Sequence, residues 1–310
     1  MRANQQMKDP HEIIVVVGPT AIGKTKLAID LANYWGCNII SADSRQFYKE
    51  MTIGTAVPNK EELQAAPHYL IQHKSIHEHY TVGDFEREAL DLIDRFSKQF
   101  SKTVVVGGSG LYINALLYGL DEFPAVPASV RKQLNQELET HGIIWLQEEL
   151  KKVDPLYYNQ VDHMNPQRMI RAIEIYRSSG LPFSTLRKET VKKRPFKYTL
   201  IGLSAPRPTI YERINQRVDQ MITEGLIQEA QGLYPYRDLN ALQTVGYKEI
   251  FDCFDNKLTR PQAVDLIKQN TRRFSKRQMT WFKKNQEISW FQHENGLKEV
   301  INHLEARDQH

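Results

Sequence analysis

Apolar and polar positions along the chain form two kinds of segment. Short, almost wholly apolar runs rich in β-branched residues are typical of strands that are buried on both faces. They occupy residues 13–17, 38–41, 103–106 and 198–203. The segments between them carry apolar residues at helical spacing. Strands that alternate with helices in this way predict an α/β fold, in which a doubly wound parallel sheet has helices on both faces.

A stretch in the middle of the chain breaks this alternation. The sequence Phe-Pro-Ala-Val-Pro at 123–127 is typical of a boundary, and helical patterns without a strand follow as far as Arg194 and Pro195. We therefore predict a helical insertion domain at 122–194, within a core domain made of 1–121 and 195–310. A chain of 310 residues, 41% hydrophobic and 25% charged, can bury one good core and a smaller second one.

The first apolar run leads directly into Gly-Pro-Thr-Ala-Ile-Gly-Lys-Thr. The spacing G-x-x-x-x-G-K-[ST] is that of a phosphate-binding loop, whose glycines let successive backbone N–H groups surround a polyphosphate. Lys24 would neutralise the phosphates, Thr25 would offer its hydroxyl to Mg²⁺, and the following helix would direct its positive N-terminus at the anion. The alternative is a glycine-rich turn without a ligand. The loop predicts a P-loop NTPase-like core with a diphosphate or nucleotide site formed by Gly18, Pro19, Thr20, Ala21, Ile22, Gly23, Lys24 and Thr25.

The expected metal-binding aspartate of a nucleotide hydrolase is missing from the third apolar run, which leads into Gly-Gly-Ser-Gly. The nearest strand-end carboxylate is instead Asp43, which follows the second run. Because the carboxyl ends of parallel strands form the ligand crevice, we expect Asp43 to share one site with the phosphate loop, as metal ligand or as base. The alternative is that Asp43 caps a helix around residues 46–51.

Basic residues are unevenly placed, although the net charge is only +4. Residues 268–284 contain many cations and no acid, with Phe274, Trp281 and Phe282 between them. This pattern suits phosphate contacts and base stacking, but a surface helix with one buried aromatic face would look similar. Arg213 and Arg217 share a helix face at spacing i, i+4, either as an anion clamp or as a solvated face.

The cysteines, the histidines and the apolar segments of the chain bear on metal binding and on the cellular compartment. Cys37 and Cys253 are too few for a disulfide scaffold or a zinc site, so we expect a cytoplasmic protein. Four histidines between residues 68 and 79 suggest metal only weakly, since neither cysteines nor an HExxH spacing accompany them. No signal-peptide or membrane-spanning pattern is present, and no membrane partner is expected.

Several sequence blocks together resemble those of the bacterial tRNA dimethylallyltransferases. They occur in the order of that family and extend from about residue 13 to about residue 283. Several of them have no general explanation in fold chemistry, which makes the resemblance far more specific than the phosphate loop alone. The blocks are GPTAIGKT, ADSRQFYKEMTIGTAVP, PHYLIQH, VVVGGSGLYINALLYGL, NPQRMIRAIEIY, QTVGYKE and TRRFSKRQMTWF.

The resemblance implies prenyl transfer from dimethylallyl diphosphate to the N6 amine of the adenosine 3′ to the anticodon of tRNA. The phosphate loop would then hold a prenyl diphosphate instead of ATP. An exocyclic adenine amine is a poor nucleophile, so a base must take its proton, and Asp43 is the candidate. The loop amides, Lys24 and Mg²⁺ on Thr25 would stabilise the departing diphosphate. Thr20 would add a hydroxyl, and Arg217 would clamp diphosphate or tRNA.

The same resemblance assigns tRNA contacts to residues in several blocks, and the basic segment near the C-terminus adds four more. The hydroxyl of Ser109, where the family more often has threonine, could touch diphosphate, nucleotide or backbone. We also expect the adenosine to flip out of its stack to reach Asp43. The predicted tRNA-contacting residues are Asp43, Ser44, Arg45, Gln46, Ser109, Arg131, Gln167, Arg168, Met169, Ile170, Arg171, Gln243, Thr244, Gly246, Lys248, Arg272, Arg273, Lys276 and Arg277.

Other functions compete with this one. An adenylate prenyltransferase of cytokinin synthesis would share the loop and the base but use a free nucleotide. A small-molecule kinase would need the missing strand-end aspartate, and a non-catalytic tRNA-binding module would need neither Lys24 nor Asp43. The helical insertion and the basic block at 165–171 favour tRNA. A monomer is adequate for the reaction, and we expect one.

Overall fold

The structure, a computed structural model, describes residues 10–188, 191–294 and 296–308. Its strands are β1 (Glu12–Val17), β2 (Ile39–Ser41), β3 (His68–Tyr69), β4 (Lys102–Val106), β5 (Lys197–Ser204) and β6 (Ser289–Gln292). They form one sheet in the order β3-β2-β4-β1-β5-β6, and every neighbouring pair is parallel. The predicted parallel α/β fold is confirmed.

The helices of the described residues follow in chain order. They are α1 (Lys24–Trp35), α2 (Lys60–Ala65), α3 (Val82–Ser97), α4 (Gly110–Tyr118), α5 (Ala128–Val153), α6 (Pro155–Tyr158), α7 (Pro166–Ser179), α8 (Phe183–Leu186), α9 (Arg207–Glu224), α10 (Leu226–Leu233), α11 (Tyr247–Phe254), α12 (Arg260–Phe282) and α13 (Gly296–Asp308). Two short 3₁₀ turns, Tyr234–Tyr236 and Asn240–Leu242, lie between α10 and α11.

Strand β1 is the centre of the sheet, with β4 on one side and β5 on the other. In this register Val15 pairs with Val105 and with Leu200. Successive side chains of a strand point to opposite faces. Ile14 and Val16 pack in one cluster with residues of α1 and α13, while Ile13 and Val15 on the other face are equally buried. Both faces are therefore covered, which explains the continuous apolar run.

The chain divides into two compact units. One comprises the described residues up to Leu117 and those from Arg194 onwards, and it contains the whole sheet. The other, Tyr118–Lys193, contains helices and no strand among its described residues. Its core consists of side chains of α5, α7 and the segment between them, including Leu134, Leu146 and Ile173. The backbone of Gly142 interrupts α5, with a φ of 78°.

Apolar runs in the sequence predicted some of the strands and missed others. The four predicted runs are β1, β2, β4 and β5, each within about a residue of its predicted limits. The sequence analysis did not find β3, which has two residues, or β6, which pairs with β5 at an edge of the sheet. Residues 46–51 form turns instead of a helix, so Asp43 is not a helix cap. None of the described helices combines the length and hydropathy that crossing a bilayer requires.

Candidate active site

The turn between β1 and α1 has the backbone geometry that its glycine spacing predicts. Gly18 and Gly23 have φ angles of 144° and 102°, which residues with side chains rarely adopt. A side chain at Gly18 would also collide with β5, since a Cβ atom there would lie 2.8 Å from the carbonyl oxygen of Leu203. Ala21, between the glycines, has a φ of 62°. The turn is therefore sharply folded against the sheet.

The N-terminus of α1 completes this turn. Gly23 is the N-cap, no side chain caps the helix, and its first turn contains no acidic residue. The first N–H groups of a helix have no partner within the helix, and the helix dipole places positive charge there. The end of α1 therefore offers donors and positive potential to an anion.

Two cavities at the carboxyl edge of the sheet share part of their lining. The smaller, of about 70 Å³, has Lys24 and Thr25 in its wall. The larger has a volume of about 460 Å³. Thr20, Asp43, Thr55 and Arg217 line both cavities. The shared wall thus brings together the three residues that the sequence analysis predicted as catalytic.

The charges around the smaller cavity are poorly compensated. Burial and, to a smaller extent, the positive charge of Arg217 together lower the pKa of Lys24 to about 7, against the opposing effect of Asp43. Burial also lowers the pKa of Arg217, again against the effect of Asp43. The Lys24 ammonium donates a hydrogen bond to the carbonyl of Pro19 at 2.7 Å. Arg217 and the protonated fraction of Lys24 outweigh the one carboxylate, and a bound anion would favour the protonated form of Lys24, so the site favours an anionic ligand.

The two arginines predicted as a pair on α9 have different contacts. The Arg213 side chain donates from Nε to the carbonyl of Ala21 at 2.7 Å, so it supports the phosphate loop from outside. Arg217, one turn later, lies in the wall of both cavities. Arg217 is therefore the member of the pair that is placed to touch a ligand.

Asp43 follows β2 at the junction of the cavities. One of its carboxylate oxygens accepts a hydrogen bond from the Arg45 amide at 2.9 Å, which fixes the turn. The amide of Ser44 donates to the hydroxyl of Ser109 at 2.9 Å. The hydroxyl of Ser109, whose role the sequence left open, thus contacts the backbone beside Asp43, and Ser109 also lines the larger cavity.

Arg45 and Gln46 connect this turn to other segments. The Arg45 guanidinium donates to the carbonyls of Asn240 and Ala241 at 2.9 and 3.2 Å. The Gln46 carboxamide donates to the carbonyls of Thr55 and Ala56 at 3.3 and 2.8 Å. Both residues were predicted to contact tRNA. In the structure their side chains hold the segments around the cavities, and the tRNA contacts stay a prediction.

One anchor of the larger cavity was missed by the sequence analysis. The carboxylate of Glu229 on α10 accepts hydrogen bonds from the amides of Thr52, Ile53 and Gly54 at 2.8 to 3.0 Å, and from the hydroxyl of Tyr247 at 2.6 Å. Gly54 forms part of the cavity wall. Tyr247 belongs to the block QTVGYKE, but no local pattern marks Glu229.

The larger cavity collects most of the predicted tRNA residues of the core unit. Its wall also includes Phe274 and Arg277 of α12. In addition to Asp43 and Arg45, the predicted residues that line it are Ser44, Ser109, Gln243, Thr244, Gly246, Lys248 and Arg277. The structure therefore gathers them from distant parts of the sequence around one opening.

The cations of α12 do not act as one group. Arg272 donates to the Asn215 side chain at 2.6 Å and lies over the ring of Tyr211. Arg273 and Lys276, together with Arg277 and Trp281, line a separate surface groove of about 410 Å³. Arg272 is thus held against α9, whereas the groove presents the remaining predicted cations.

In the helical unit, two predicted arginines converge on a buried carboxylate. Arg131 contacts one oxygen of Glu174 at 2.6 Å, and Arg171 contacts the other at 2.7 Å. The Glu174 side chain is only 3% exposed, while each arginine side chain is 43% exposed. Both arginines therefore compensate a buried charge, whatever else they contact.

Met169 and Ile170 correct the sequence analysis. They were predicted to contact tRNA, but both are fully buried in the core of the helical unit. The prediction is wrong for these side chains, because the inner face of α7 packs against α5. Their neighbours Gln167 and Arg168 are exposed and stay candidates for tRNA contact.

The smaller cavity fits a diphosphate with Mg²⁺. His68 lies in its wall, and since its Nδ1 hydrogen-bonds to the Ala66 carbonyl at 2.8 Å, its Nε2 is left as an acceptor. This Nε2 is buried without a partner among the described residues, as expected beside a hydrated ligand. Mg²⁺ prefers oxygen ligands and keeps several waters, so the Thr25 hydroxyl and phosphate oxygens form a suitable set. The described residues contain no cluster of three or more His, Cys, Asp or Glu that could hold a metal ion.

Comparison with known proteins identifies relatives over most of the chain. The family model described as IPP transferase matches residues 46–285. A tRNA dimethylallyltransferase from Christiangramia forsetii is 52% identical over 295 residues, which cover 95% of this chain and 98% of the relative. One from Flavobacterium johnsoniae is 51% identical over 298 residues, with coverages of 94% and 96%.

Solved structures show the same similarity. The full-length tRNA isopentenylpyrophosphate transferase from Bacillus halodurans is 36% identical, with a TM-score of 0.71 and 96% of each chain covered. A eukaryotic dimethylallyltransferase acting on tRNA is 26% identical, with a TM-score of 0.76. It covers 92% of this chain and 74% of its own.

Proposed function

This chain belongs to the IPP transferase family, and we propose that it transfers a dimethylallyl group from dimethylallyl diphosphate to tRNA. The acceptor is N6 of the adenosine 3′ to the anticodon, and the released product is diphosphate. One observation carries this proposal. A small cation-rich cavity and a larger cavity share a wall formed by Thr20, Asp43, Thr55 and Arg217. Such a wall suits a diphosphate on one side and an adenine on the other.

The smaller cavity binds the diphosphate of the donor. The amides of the phosphate loop, the Lys24 ammonium and the Arg217 guanidinium supply hydrogen bonds and positive charge. These groups stabilise the charge that accumulates on the diphosphate as the bond from C1 of the dimethylallyl group to oxygen breaks. Mg²⁺ held by the Thr25 hydroxyl, when bound, supplies further positive charge to the phosphate oxygens.

Asp43 acts on the acceptor. The N6 lone pair of adenosine forms the bond to C1, the diphosphate leaves with the electron pair of the broken C1–O bond, and the N6 proton passes to the Asp43 carboxylate. Asp43 lies in the wall of both cavities and one of its oxygens is fixed by the Arg45 amide. Its location therefore suits a base between donor and acceptor.

The larger cavity receives the flipped adenosine. A base inside a stacked anticodon loop does not bring its amine to a carboxylate in a cavity wall, so the nucleotide must leave the stack. Phe274 offers an aromatic surface in the cavity wall, and Arg277 lies in the wall of both this cavity and the neighbouring groove. The groove cations Arg273 and Lys276 would contact phosphates of the anticodon stem-loop.

One chain supplies every group of this mechanism, so we propose that a monomer is active. The tRNA substrate is consistent with a cytoplasmic enzyme, and no membrane partner is proposed. The absence of an acid at the end of β4, where Val106 leads into Gly107, separates the chain from kinases that use a strand-end aspartate.

A transfer assay tests this function. The protein is incubated with Mg²⁺, dimethylallyl diphosphate and either unmodified tRNA or AMP, and the nucleosides are analysed by mass spectrometry after digestion. Addition of one isopentenyl unit to tRNA adenosine alone supports the proposal. Modification of AMP would identify an adenylate prenyltransferase. The absence of transfer to either acceptor would contradict prenyl transfer.

A further inference from the structure

Helix α12 has a buried face in addition to the face that carries its cations. Ser275, Gln278 and Phe282 are buried, at a spacing that places them on one side of the helix. Gln278 is a polar residue with only 6% of its surface exposed. A buried carboxamide is costly unless both of its ends are hydrogen-bonded. The contacts of Gln278 therefore need an explanation.

The Gln278 carboxamide joins two segments of the smaller cavity. Its Oε1 accepts a hydrogen bond from the amide of Thr20 at 2.9 Å. Its Nε2 donates to the carbonyl of Gly108 at 3.0 Å. Only the oxygen can accept from an N–H and only the amino group can donate to a carbonyl, so these two contacts fix the orientation of the carboxamide. Thr20 and Gly108 both line the cavity.

The glycines after β4 leave space for this face of α12. A Cβ atom at Gly108 would lie 2.2 Å from Nε2 of Gln278, and one at Gly110 would lie 2.1 Å from Nε1 of Trp281. Neither glycine has a positive φ angle. Glycine is therefore needed at positions 108 and 110 because α12 packs closely there, and not because the backbone adopts a positive φ angle.

We propose that Gln278 is a positioning residue for the diphosphate of the donor. It holds Thr20, in the turn after β1, and Gly108, in the turn after β4, at a set separation. It also joins the cavity to α12, whose other face carries Arg273, Lys276 and Arg277. The inference rests on the proposed function only for the identity of the donor. The role of the Gln278 contacts can be tested by the binding of diphosphate alone.

The first test replaces Gln278 by glutamate. In Gln278→Glu the carboxylate still accepts from Thr20 but cannot donate to Gly108, whose carbonyl then faces a negative charge. We expect the KM for dimethylallyl diphosphate and the Kd for inorganic diphosphate to rise about 10- to 100-fold. The Kd for tRNA should stay within twofold, although the substitution lies on α12. Gln269→Glu, which places the same charge at an exposed position of α12, is the matched control and should leave both constants unchanged.

The second test is a double-mutant cycle. In Gly108→Ala the new methyl group would displace the Gln278 carboxamide, so this variant should weaken diphosphate binding as Gln278→Ala does. Because both substitutions remove the same contact, the double variant should bind diphosphate about as well as Gln278→Ala alone. Fully additive losses would overturn the proposal.

Because the tests measure the Kd for diphosphate, they distinguish a failure of this inference from a failure of the proposed function. If the wild type binds diphosphate but transfers no dimethylallyl group to tRNA, the function fails and the cycle still tests Gln278. An unchanged diphosphate Kd in Gln278→Glu would overturn the positioning role. Equal losses of diphosphate and tRNA binding, with a lower melting temperature, would show that Gln278 only stabilises the fold.

Discussion

Helix α9 carries Arg213 and Arg217 on one face, and helix α7 carries Arg168 and Arg171 on one face. One member of each pair, Arg217 on α9 and Arg171 on α7, has opposite surroundings. On α9, Arg217 is partly buried in a cavity wall, and no carboxylate of the described residues lies within ion-pair distance of it. On α7, Arg171 contacts the buried Glu174, which Arg131 also contacts. The sequence spacing of each pair is compatible with either arrangement.

The difference shows how an arginine that binds a ligand can be distinguished from an arginine that compensates a buried carboxylate. A buried cation without a contacting carboxylate destabilises the fold, so its presence in a cavity indicates that a ligand provides the missing charge. A cation paired with a buried carboxylate compensates a charge of the protein itself. We therefore expect changes at the α9 site to affect activity more than stability, and changes at the α7 site to do the reverse.

The largest expected effect is on catalysis at the carboxylate that faces Arg217. Asp43→Asn keeps an oxygen that can accept the Arg45 amide, but it removes the base. We expect kcat to fall about 10²- to 10⁴-fold with little change in the free energy of unfolding. Single-turnover transfer to tRNA measures this effect, with the exposed Asp91→Asn on α3 as control. A decrease smaller than threefold would rule out Asp43 as the base.

The next test removes the unpaired cation of α9. Arg217→Gln should lower kcat/KM for dimethylallyl diphosphate by about 100-fold, because a charge-assisted contact to the diphosphate is lost. The free energy of unfolding should stay the same or rise, since a buried charge is no longer desolvated. Urea unfolding and steady-state kinetics measure the two quantities. A large loss of stability would show that Arg217 is structural, as Arg171 is, and the comparison would fail.

The reverse result is expected on α7. Glu174→Gln should lower the free energy of unfolding by about 2 kcal/mol, because the Arg131 and Arg171 contacts lose their charge while the residue stays buried. The estimate is below that for a fully buried pair, since both arginines are partly exposed and can be resolvated. Urea unfolding checks it. Unchanged stability together with weaker tRNA binding would instead place both arginines in the tRNA interface.

The smallest effect is the pH dependence of stability due to Lys24. Its pKa is about 7 in the folded protein and about 10.4 in an unfolded chain. Between these values the unfolded chain binds more protons, so the contribution of Lys24 to stability rises with pH. The cost of the buried ammonium is fully present below pH 7 and disappears above pH 10.

This contribution is measured by urea unfolding of the wild type and Lys24→Met without phosphate or metal. From pH 7 to pH 9 the wild type should gain about 1 kcal/mol relative to the variant, after allowance for partial exposure. A constant difference between the two proteins would mean that Lys24 keeps an ordinary pKa, so that its ammonium is less desolvated and less repelled by Arg217 than the structure indicates.

The sequence by itself determined the central strands, the phosphate loop and the location of Asp43. These features depend on local causes. Runs of β-branched residues make buried strands, and glycines at Gly18 and Gly23 allow positive φ angles. The order of the blocks also identified the family. The short strand β3 and the edge strand β6 escaped local patterns, because both depend on what packs beside them.

Only the tertiary structure decided which polar groups meet. Thr20 and Gln278 are 258 positions apart in the sequence, and Arg131 and Glu174 are 43 apart. Hydrogen bonds and ion pairs depend on ångström distances that spacing along one helix or strand does not set. The sequence therefore predicted that arginines lie on α9 and α7, and the fold decided that one is available to a ligand while the other neutralises Glu174.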